Sequence, residues 1–236
     1  SDFLDDNLIR VPHKINKESY FDGNIKLDID EKRSYLLPLK KRFFEFFTAD
    51  DLIKGLPNEK KMLEMEPLAG RSVKVILRIP IKGKGRIDSI EYSRIYYYDS
   101  TPDVESNKGG IVECDFTGFI MPHVKFNKPD EDAFYRVTCV STYSRNYNFT
   151  FFNGIIALLN IPTDCRNIDN SEAYKAKVYA VEKTNFEYIQ VTAPGDVKAL
   201  IIPNFKEQNG VDAYEFAIDL GTSNTHIEYC KNGSKN

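Results

Sequence analysis

The sequence predicts an α+β protein that is mainly antiparallel β, folded as a sandwich or a strongly bent sheet with one or two short helices. Between residues 68 and 202, apolar residues alternate with polar ones in many short runs, which is the period of a half-buried strand. Turns that contain Gly or Pro separate these runs at short intervals. Long helical patterns do not separate the strands, and this disfavours a parallel α/β fold.

The amino-terminal segment is irregular and charged, and we expect it to pack as a long arm on the rest of the protein. The clearest helical signal follows at about residues 38–55. Thr48 is placed to cap a helix there, because Asp50 and Asp51 suit the positive end of its dipole and Gly55 suits its end. Before Thr48, an apolar stripe at three- and four-residue steps is expected to face the core; its members are Leu39, Phe43, Phe46 and Phe47.

A series of short strands is expected after the helical segment. They are predicted at residues 73–79, 90–97, 112–120, 133–139, 147–151, 176–180, 186–191 and 197–201. The alternation changes phase near Ser93 and Arg94, which predicts a β-bulge. The longest apolar run, residues 154–159, is much shorter than the ~18 residues that a membrane helix needs, so we interpret it as core.

Charge and cysteine spacing exclude several classes of function. The net charge is −3 with 28% charged residues, which gives no basic face for nucleic acid. The four cysteines form no Cys-x-x-Cys pair and the three histidines lie far apart, so the spacing of a metal site is missing. Cys114 and Cys139 fall in alternating strand patterns and are expected to be buried as small apolar residues. We therefore expect neither nucleic acid nor a membrane as a partner.

The most specific chemical signal lies near the carboxyl end. An apolar run that begins at Phe216 leads into Asp219, then into a small polar loop at residues 221–225, and then into a second strand-like run. A tight turn of Gly, Thr and Ser can direct several backbone N–H groups toward one anion. An Asp at the mouth of such a turn suits a hydrated Mg²⁺, which keeps waters and prefers carboxylate oxygen.

Residues 218–225 read Ile-Asp-Leu-Gly-Thr-Ser-Asn-Thr and resemble the first phosphate loop of the actin, sugar-kinase and heat-shock-chaperone ATPase superfamily. The resemblance implies Mg-ATP as cofactor, held in a cleft between two lobes. Asp219 would orient Mg²⁺ through water, and Thr225 would brace the turn. Backbone N–H groups and one hydroxyl would contact the β- and γ-phosphates; these come from Gly221, Thr222, Ser223 and Asn224. Ser223 departs from the pattern, since the family often has Thr there.

In that superfamily this hairpin opens the ATPase domain, and a second phosphate loop and an adenosine-binding segment follow it. Neither is found elsewhere in this sequence, so we expect a fragment of a larger ATPase. Its predicted organisation is a β-rich regulatory or target-binding module at 1–205, a linker at 206–212 and the first hairpin of an incomplete actin-like ATPase domain at 213–236. Its partners would be the remainder of that domain and a protein target. The location would be cytoplasmic, and this chain alone would not hydrolyse ATP.

Alternatives remain open at this point. Residues 216–229 also fit an ordinary hairpin whose Gly and Asn serve the turn. The chain would then be a stand-alone β-rich domain that binds a protein or a glycan through exposed tyrosines or a sheet edge, with no nucleotide chemistry. Glu113 and Asp115 share a strand face, either as paired carboxylates in a groove or as a solvated face. A group of tyrosines could stack on sugars; it comprises Tyr96, Tyr97, Tyr98, Tyr143 and Tyr147.

Overall fold

The computed structural model describes residues 3–27, 33–57, 59–81, 89–98, 101–103, 105–142, 144–167, 174–207, 214–220, 225–231 and 234–235. The strands are β1 (Asn7–Val11), β2 (Ser34–Tyr35), β3 (Leu63–Leu68), β4 (Ser72–Pro80), β5 (Ser89–Tyr97), β6 (Lys108–Glu113), β7 (Thr117–Met121), β8 (Val124–Lys125), β9 (Phe134–Thr142), β10 (Asn148–Asn153), β11 (Ile156–Leu158), β12 (Pro162–Asn167), β13 (Tyr174–Glu182), β14 (Tyr188–Ala193), β15 (Val197–Ile201), β16 (Lys206–Glu207), β17 (Tyr214–Leu220), β18 (Thr225–Lys231) and β19 (Ser234–Lys235). The helices are a 3₁₀ helix (Lys41–Glu45), α1 (Ala49–Lys54) and α2 (Pro129–Asp132).

The chain divides into two compact units, residues 1–206 and residues 207–236, which we call the main unit and the hairpin unit. The main unit contains a six-stranded sheet in the order β2-β1-β6-β5-β4-β3 and two four-stranded sheets in the orders β11-β10-β14-β15 and β12-β13-β9-β7. Strands dominate and the helices are short, so the prediction of a mainly antiparallel β protein with short helices is confirmed. The pairs β1–β6 and β5–β6 are parallel, which the sequence did not indicate.

The two four-stranded sheets pack face to face as a sandwich. Their inward side chains form one hydrophobic cluster, which includes Val137 of β9, Tyr179 of β13 and Val191 of β14. Phe149 of β10 stacks on the Tyr179 ring at a centroid distance of 5.6 Å, and its N–H donates to the Tyr179 hydroxyl at 3.2 Å. A second cluster packs the six-stranded sheet against the 3₁₀ helix and α1, and it includes Phe152, Tyr188 and Leu200 from strands of the sandwich. The main unit is therefore built on two adjacent cores.

Strand β1 joins the two cores. Successive side chains of a strand point to opposite faces, and on β1 both faces are buried. Leu8 belongs to the cluster of the six-stranded sheet, whereas Ile9 and Val11 belong to the cluster of the sandwich. The amino-terminal segment, expected to pack as an arm, thus contributes a strand to the interior of the main sheet.

A buried arginine on β5 fixes the chain just before β1. The Arg94 side chain is 2% exposed and forms an ion pair with Asp6. Its guanidinium also donates to the carbonyl oxygen of Asp5 at 2.9 Å and to the Asn107 Oδ1 at 3.1 Å. The Tyr96 hydroxyl donates to the same Asp5 carbonyl at 2.6 Å. These bonds satisfy polar groups that would otherwise be costly to bury.

A glycine on β6 lets the amino-terminal segment lie close to this strand. A Cβ on Gly109 would lie 2.9 Å from the carbonyl oxygen of Asp6 and still closer to the Tyr96 ring, so any other residue would displace one of them. The next N–H, of Gly110, donates to that Asp6 carbonyl at 3.1 Å. The parallel pairing of β1 with β6 therefore depends on a residue without a side chain at position 109.

The predicted bulge on β5 is wrong. Pairing between β4 and β5 is continuous from Val73–Tyr96 to Pro80–Ser89, with no shift of register. The apolar alternation breaks near Arg94 because a charged residue occupies a position that points into the core. A polar residue with buried partners disturbs the sequence pattern without disturbing the strand.

The helical segment is partly as predicted. Thr48 caps α1 as expected: its hydroxyl accepts the Asp51 N–H at 3.1 Å, and the Asp51 carboxylate accepts the Thr48 N–H at 2.9 Å. The stripe before it was wrong at one position, since Phe46 is 61% exposed and Phe44 is buried instead. The helix is a short 3₁₀ helix, Lys41–Glu45, and Phe46 lies beyond its end, at the C-cap, so the helical period does not extend to this residue.

Two of the cysteines are buried, as predicted. Cys114 and Cys139 are free thiols in the sandwich core, and burial raises the pKa of the two thiols to about 11 and about 12. They remain protonated at neutral pH and behave as small apolar side chains. Within the described part of the chain, no helix is long and apolar enough to cross a membrane.

We predict that Arg94→Met lowers the free energy of unfolding by about 3 kcal/mol, because the Asp6 carboxylate and the Asn107 Oδ1 lose the guanidinium and the Asp5 carbonyl keeps only the Tyr96 hydroxyl. Arg136→Met is the matched control, since Arg136 also lies on a strand but pairs with Glu182 at 3.0 Å in an exposed position. Its loss should cost less than about 1 kcal/mol. Urea unfolding followed by circular dichroism compares the two variants, and equal losses would contradict the role given to Arg94.

Candidate functional site

The predicted phosphate loop lies at the turn of a hairpin in the hairpin unit. Strands β17 and β18 pair antiparallel, and the last pair before the turn is Leu220 with Thr225. Asp219 belongs to β17, one residue before that pair, and the backbone of Thr225 begins β18. The four remaining predicted residues lie outside the described residues; they are Gly221, Thr222, Ser223 and Asn224.

The two faces of this hairpin differ in character. Cross-strand partners share a face, so the register sorts the side chains into two sets. One face carries the large apolar residues, which are all 43% exposed or more: Phe216, Ile218, Leu220, Ile227 and Tyr229. The opposite face carries Glu215 with Cys230, Ala217 with Glu228, and Asp219 with His226. The hairpin thus has one apolar face and one polar face, as in a sheet that packs on one side and faces a polar environment on the other.

Asp219 lies on the polar face, at its end nearest the turn. Its side chain is exposed, and its cross-strand neighbour is His226. The Nε2 of His226 lies 3.3 Å from Oε1 of Glu228, so these two groups form an exposed pair beside the aspartate. A carboxylate in this position can accept hydrogen bonds from water molecules of a hydrated cation that lies above the turn.

The residues fit an indirect contact with Mg²⁺ and not a direct protein site. Mg²⁺ is usually bound by one or two carboxylates, several waters and substrate phosphates in octahedral geometry. Among the described residues, no group of three or more His, Cys, Asp or Glu side chains is placed to hold a metal ion. The role that the resemblance implies for Asp219 is an indirect one, in which water lies between its carboxylate and the ion.

The two carboxylates considered for acid–base chemistry have structural partners. Glu113 forms ion pairs with Arg33 at 2.9 Å and Arg10 at 3.5 Å. Asp115, beyond the end of β6, accepts hydrogen bonds from the hydroxyls of Tyr147 at 2.6 Å and Thr142 at 2.7 Å. Burial opposes ionisation of Asp115, but these two hydrogen bonds, together with the nearby charge of Arg145, hold its pKa below the ordinary value. A carboxylate that is held ionised in this way is poorly suited to donate a proton.

Two of the five tyrosines considered for stacking are buried and so cannot stack on a ligand. Tyr96 and Tyr147 are buried, and their hydroxyls donate to Asp5 and Asp115. Tyr98 lies under the guanidinium of Arg10, 5.1 Å from the ring centroid. Tyr143 lies outside the described residues.

A loop of the main unit exposes an apolar run that the sequence assigned to the core. We call residues 154–162 the apolar loop; it contains β11 and carries no charged residue. Ile155 is 57% exposed, Ile156 is 68% exposed and Leu159 is 97% exposed, so the core assignment is wrong. The run is exposed because β11 is the edge strand of its sheet.

The structure also contains a cavity that no sequence pattern indicated. It lies between β7 and β15, the edge strands of the two sandwich sheets, and has a volume of about 400 Å³. We call it the edge cavity. Its floor is made by buried side chains, among them Leu36, Val137, Phe149 and Ile189. Residues from seven separate parts of the sequence meet there, so only the tertiary structure could reveal it.

Comparison of the chain with protein-family models, with curated proteins and with solved structures gives no match.

Proposed function

We propose that residues 213–236 are the first hairpin of an actin-like ATPase domain, and that the β-rich part of the chain is a regulatory or target-binding module joined to it by residues 206–212. The observation that carries the proposal is the position of the motif residues. Asp219 is the last residue but one of β17, on the polar face, directly before the turn that the resemblance assigns to phosphate.

The apolar face of the hairpin supports the same proposal. A face with five large apolar side chains, each exposed by 43% or more, is costly in water and is expected to pack against further structure. An isolated hairpin is at best marginally stable. The remainder of an ATPase domain would provide both the additional strands and the layer that covers this face.

The residues would divide the work as follows. Bound Mg-ATP supplies the phosphoryl group and most of the charge that must be neutralised. Asp219 would hold a water of the Mg²⁺ shell, and backbone N–H groups of residues 221–224 would donate to the phosphates. Phosphoryl transfer depends mainly on the positioning of the reacting groups and on stabilisation of the charge on the phosphates. One phosphate loop supplies only part of each. We therefore propose ATP turnover only for the complete ATPase. The complete ATPase would lie in the cytoplasm.

We predict that Asp219→Asn in the complete protein reduces Mg-ATP turnover about 10- to 100-fold, the usual effect of losing a group that acts on a metal through a bound ligand. Glu215→Gln is the matched control, because Glu215 lies on the same face of the same strand, four residues farther from the turn. Phosphate release at saturating Mg²⁺ measures the effect.

Turnover that is unchanged in Asp219→Asn would refute the role of this carboxylate. Equal losses in both variants would show a general disturbance of the hairpin and would likewise contradict a specific role at the turn. The side chains of both residues are exposed, so neither substitution should prevent folding.

The second candidate function is a β-rich protein-binding domain without nucleotide chemistry. The apolar loop favours it, because Leu159 is 97% exposed and its neighbours in the loop carry no charge. A contiguous exposed apolar segment of this kind marks an interaction site more often than scattered apolar residues do. The buried tyrosines and the uncharged loop give less support for a glycan.

For this second candidate we predict that Leu159→Asp abolishes retention of a protein target by the immobilised chain, since a charge would have to be buried in the interface. Ile90→Asp is the control, because Ile90 is a single exposed apolar residue, at 46%, elsewhere on the main unit. Both variants should unfold within about 0.5 kcal/mol of the wild type. Identical retention by both variants would contradict a binding role for the loop.

A further inference from the structure

The edge cavity is a preformed space within the main unit and has no part in the proposed ATP chemistry. Its volume of about 400 Å³ falls in the range of small-molecule sites, which are mostly apolar with a few polar groups that orient the ligand. The floor is apolar, formed by core residues of both sandwich sheets and by Val11 of β1. Because these residues are fixed by core packing, the cavity does not need a ligand to form.

A glycine on β7 keeps the cavity open. Gly118 pairs with Cys139, which points into the core, so a side chain at position 118 would also point inward. A Cβ there would meet the Phe149 ring at 3.8 Å, an ordinary contact, and its φ lies outside the left-handed region. Position 118 thus tolerates a side chain without strain, and a larger one would occupy the space beside Phe149.

Lys14 is the charged side chain among the described residues that line the cavity. Lys14 and His13 are exposed at the rim, and His123 lines it with its Nε2 placed 2.9 Å from the carbonyl oxygen of Asn204. Among the described residues that line the cavity, none is acidic. The rim therefore favours an anionic group, while the floor favours a hydrocarbon.

A sugar does not match this arrangement, because its hydroxyl groups would lose water against an apolar floor without gaining partners. An unbranched carboxylate matches both parts, since its tail can be buried while its head stays at the rim near Lys14. We propose that the edge cavity binds a medium-chain fatty acid, with the tail between the two sandwich sheets and the carboxylate at the Lys14 rim.

Isothermal titration calorimetry of the chain with decanoate tests this proposal. We expect saturable one-to-one binding that is at least tenfold weaker in Gly118→Leu, whose side chain fills the cavity. Gly118→Ala is the matched control and should stay within about twofold of the wild type, because the added methyl makes only an ordinary contact. Thermal melting of each variant establishes that it is folded.

Two measurements separate the contributions of head and tail. Lys14→Gln should weaken decanoate about two- to fivefold, the effect of one exposed charge contact, and leave decanol unchanged. In the wild type, affinity should rise about fourfold per added methylene and then level off once the cavity is full. This series uses no variant, so it remains decisive even where Gly118→Leu fails to fold.

The absence of saturable decanoate binding would overturn the proposal, as would binding that Gly118→Leu leaves intact. Decanol binding as tightly as decanoate would refute the assignment of an anionic ligand. An apolar peptide that binds and is lost in Gly118→Leu, with no fatty acid bound, would also overturn it and would identify a protein ligand instead.

Discussion

The buried guanidinium of Arg94 is the interaction on which the main unit depends. It holds Asp5 and Asp6 against the end of β5, so that β1 enters the six-stranded sheet beside β6. From there, β1 sends Leu8 into one core and Ile9 into the other. A charged residue with several buried partners thus fixes the position of an apolar strand, and that strand contributes side chains to both cores.

The same arrangement explains where the main unit leaves space. Val11, at the end of β1, lies under the edge cavity, and the strand edges β7 and β15 form its sides. Gly109 and Gly118 show that a missing side chain has opposite consequences in two places. At position 109 the backbone and the Tyr96 ring fill the space, whereas at position 118 the space stays open. Gly109 allows the close approach of the amino-terminal segment to β6. We propose that the space beside Gly118 holds a ligand.

Local signals in the sequence were the reliable ones. Alternation and helix capping depend on neighbours a few residues away. The strands β4 and β5 and the Thr48 cap were therefore predicted. Arg94 and the apolar loop were misread because their environments come from distant segments: Asp6 for the arginine and the outer edge of a sheet for the loop. For the candidate site, the sequence predicted the motif and the strand position of Asp219. The apolar face of the hairpin is defined only by the register of β17 with β18.

We infer that the main unit has a self-sufficient core, whereas the hairpin unit, whose large apolar side chains are exposed, is marginally stable by itself. Residue-resolved amide hydrogen exchange of this chain tests it most directly. We expect the amides of Leu8 and Ile9 to exchange only through global unfolding, and those of Ala217 and Ile227 to exchange orders of magnitude faster through local opening. Hairpin amides that are protected as strongly as those of β1 would contradict the claim.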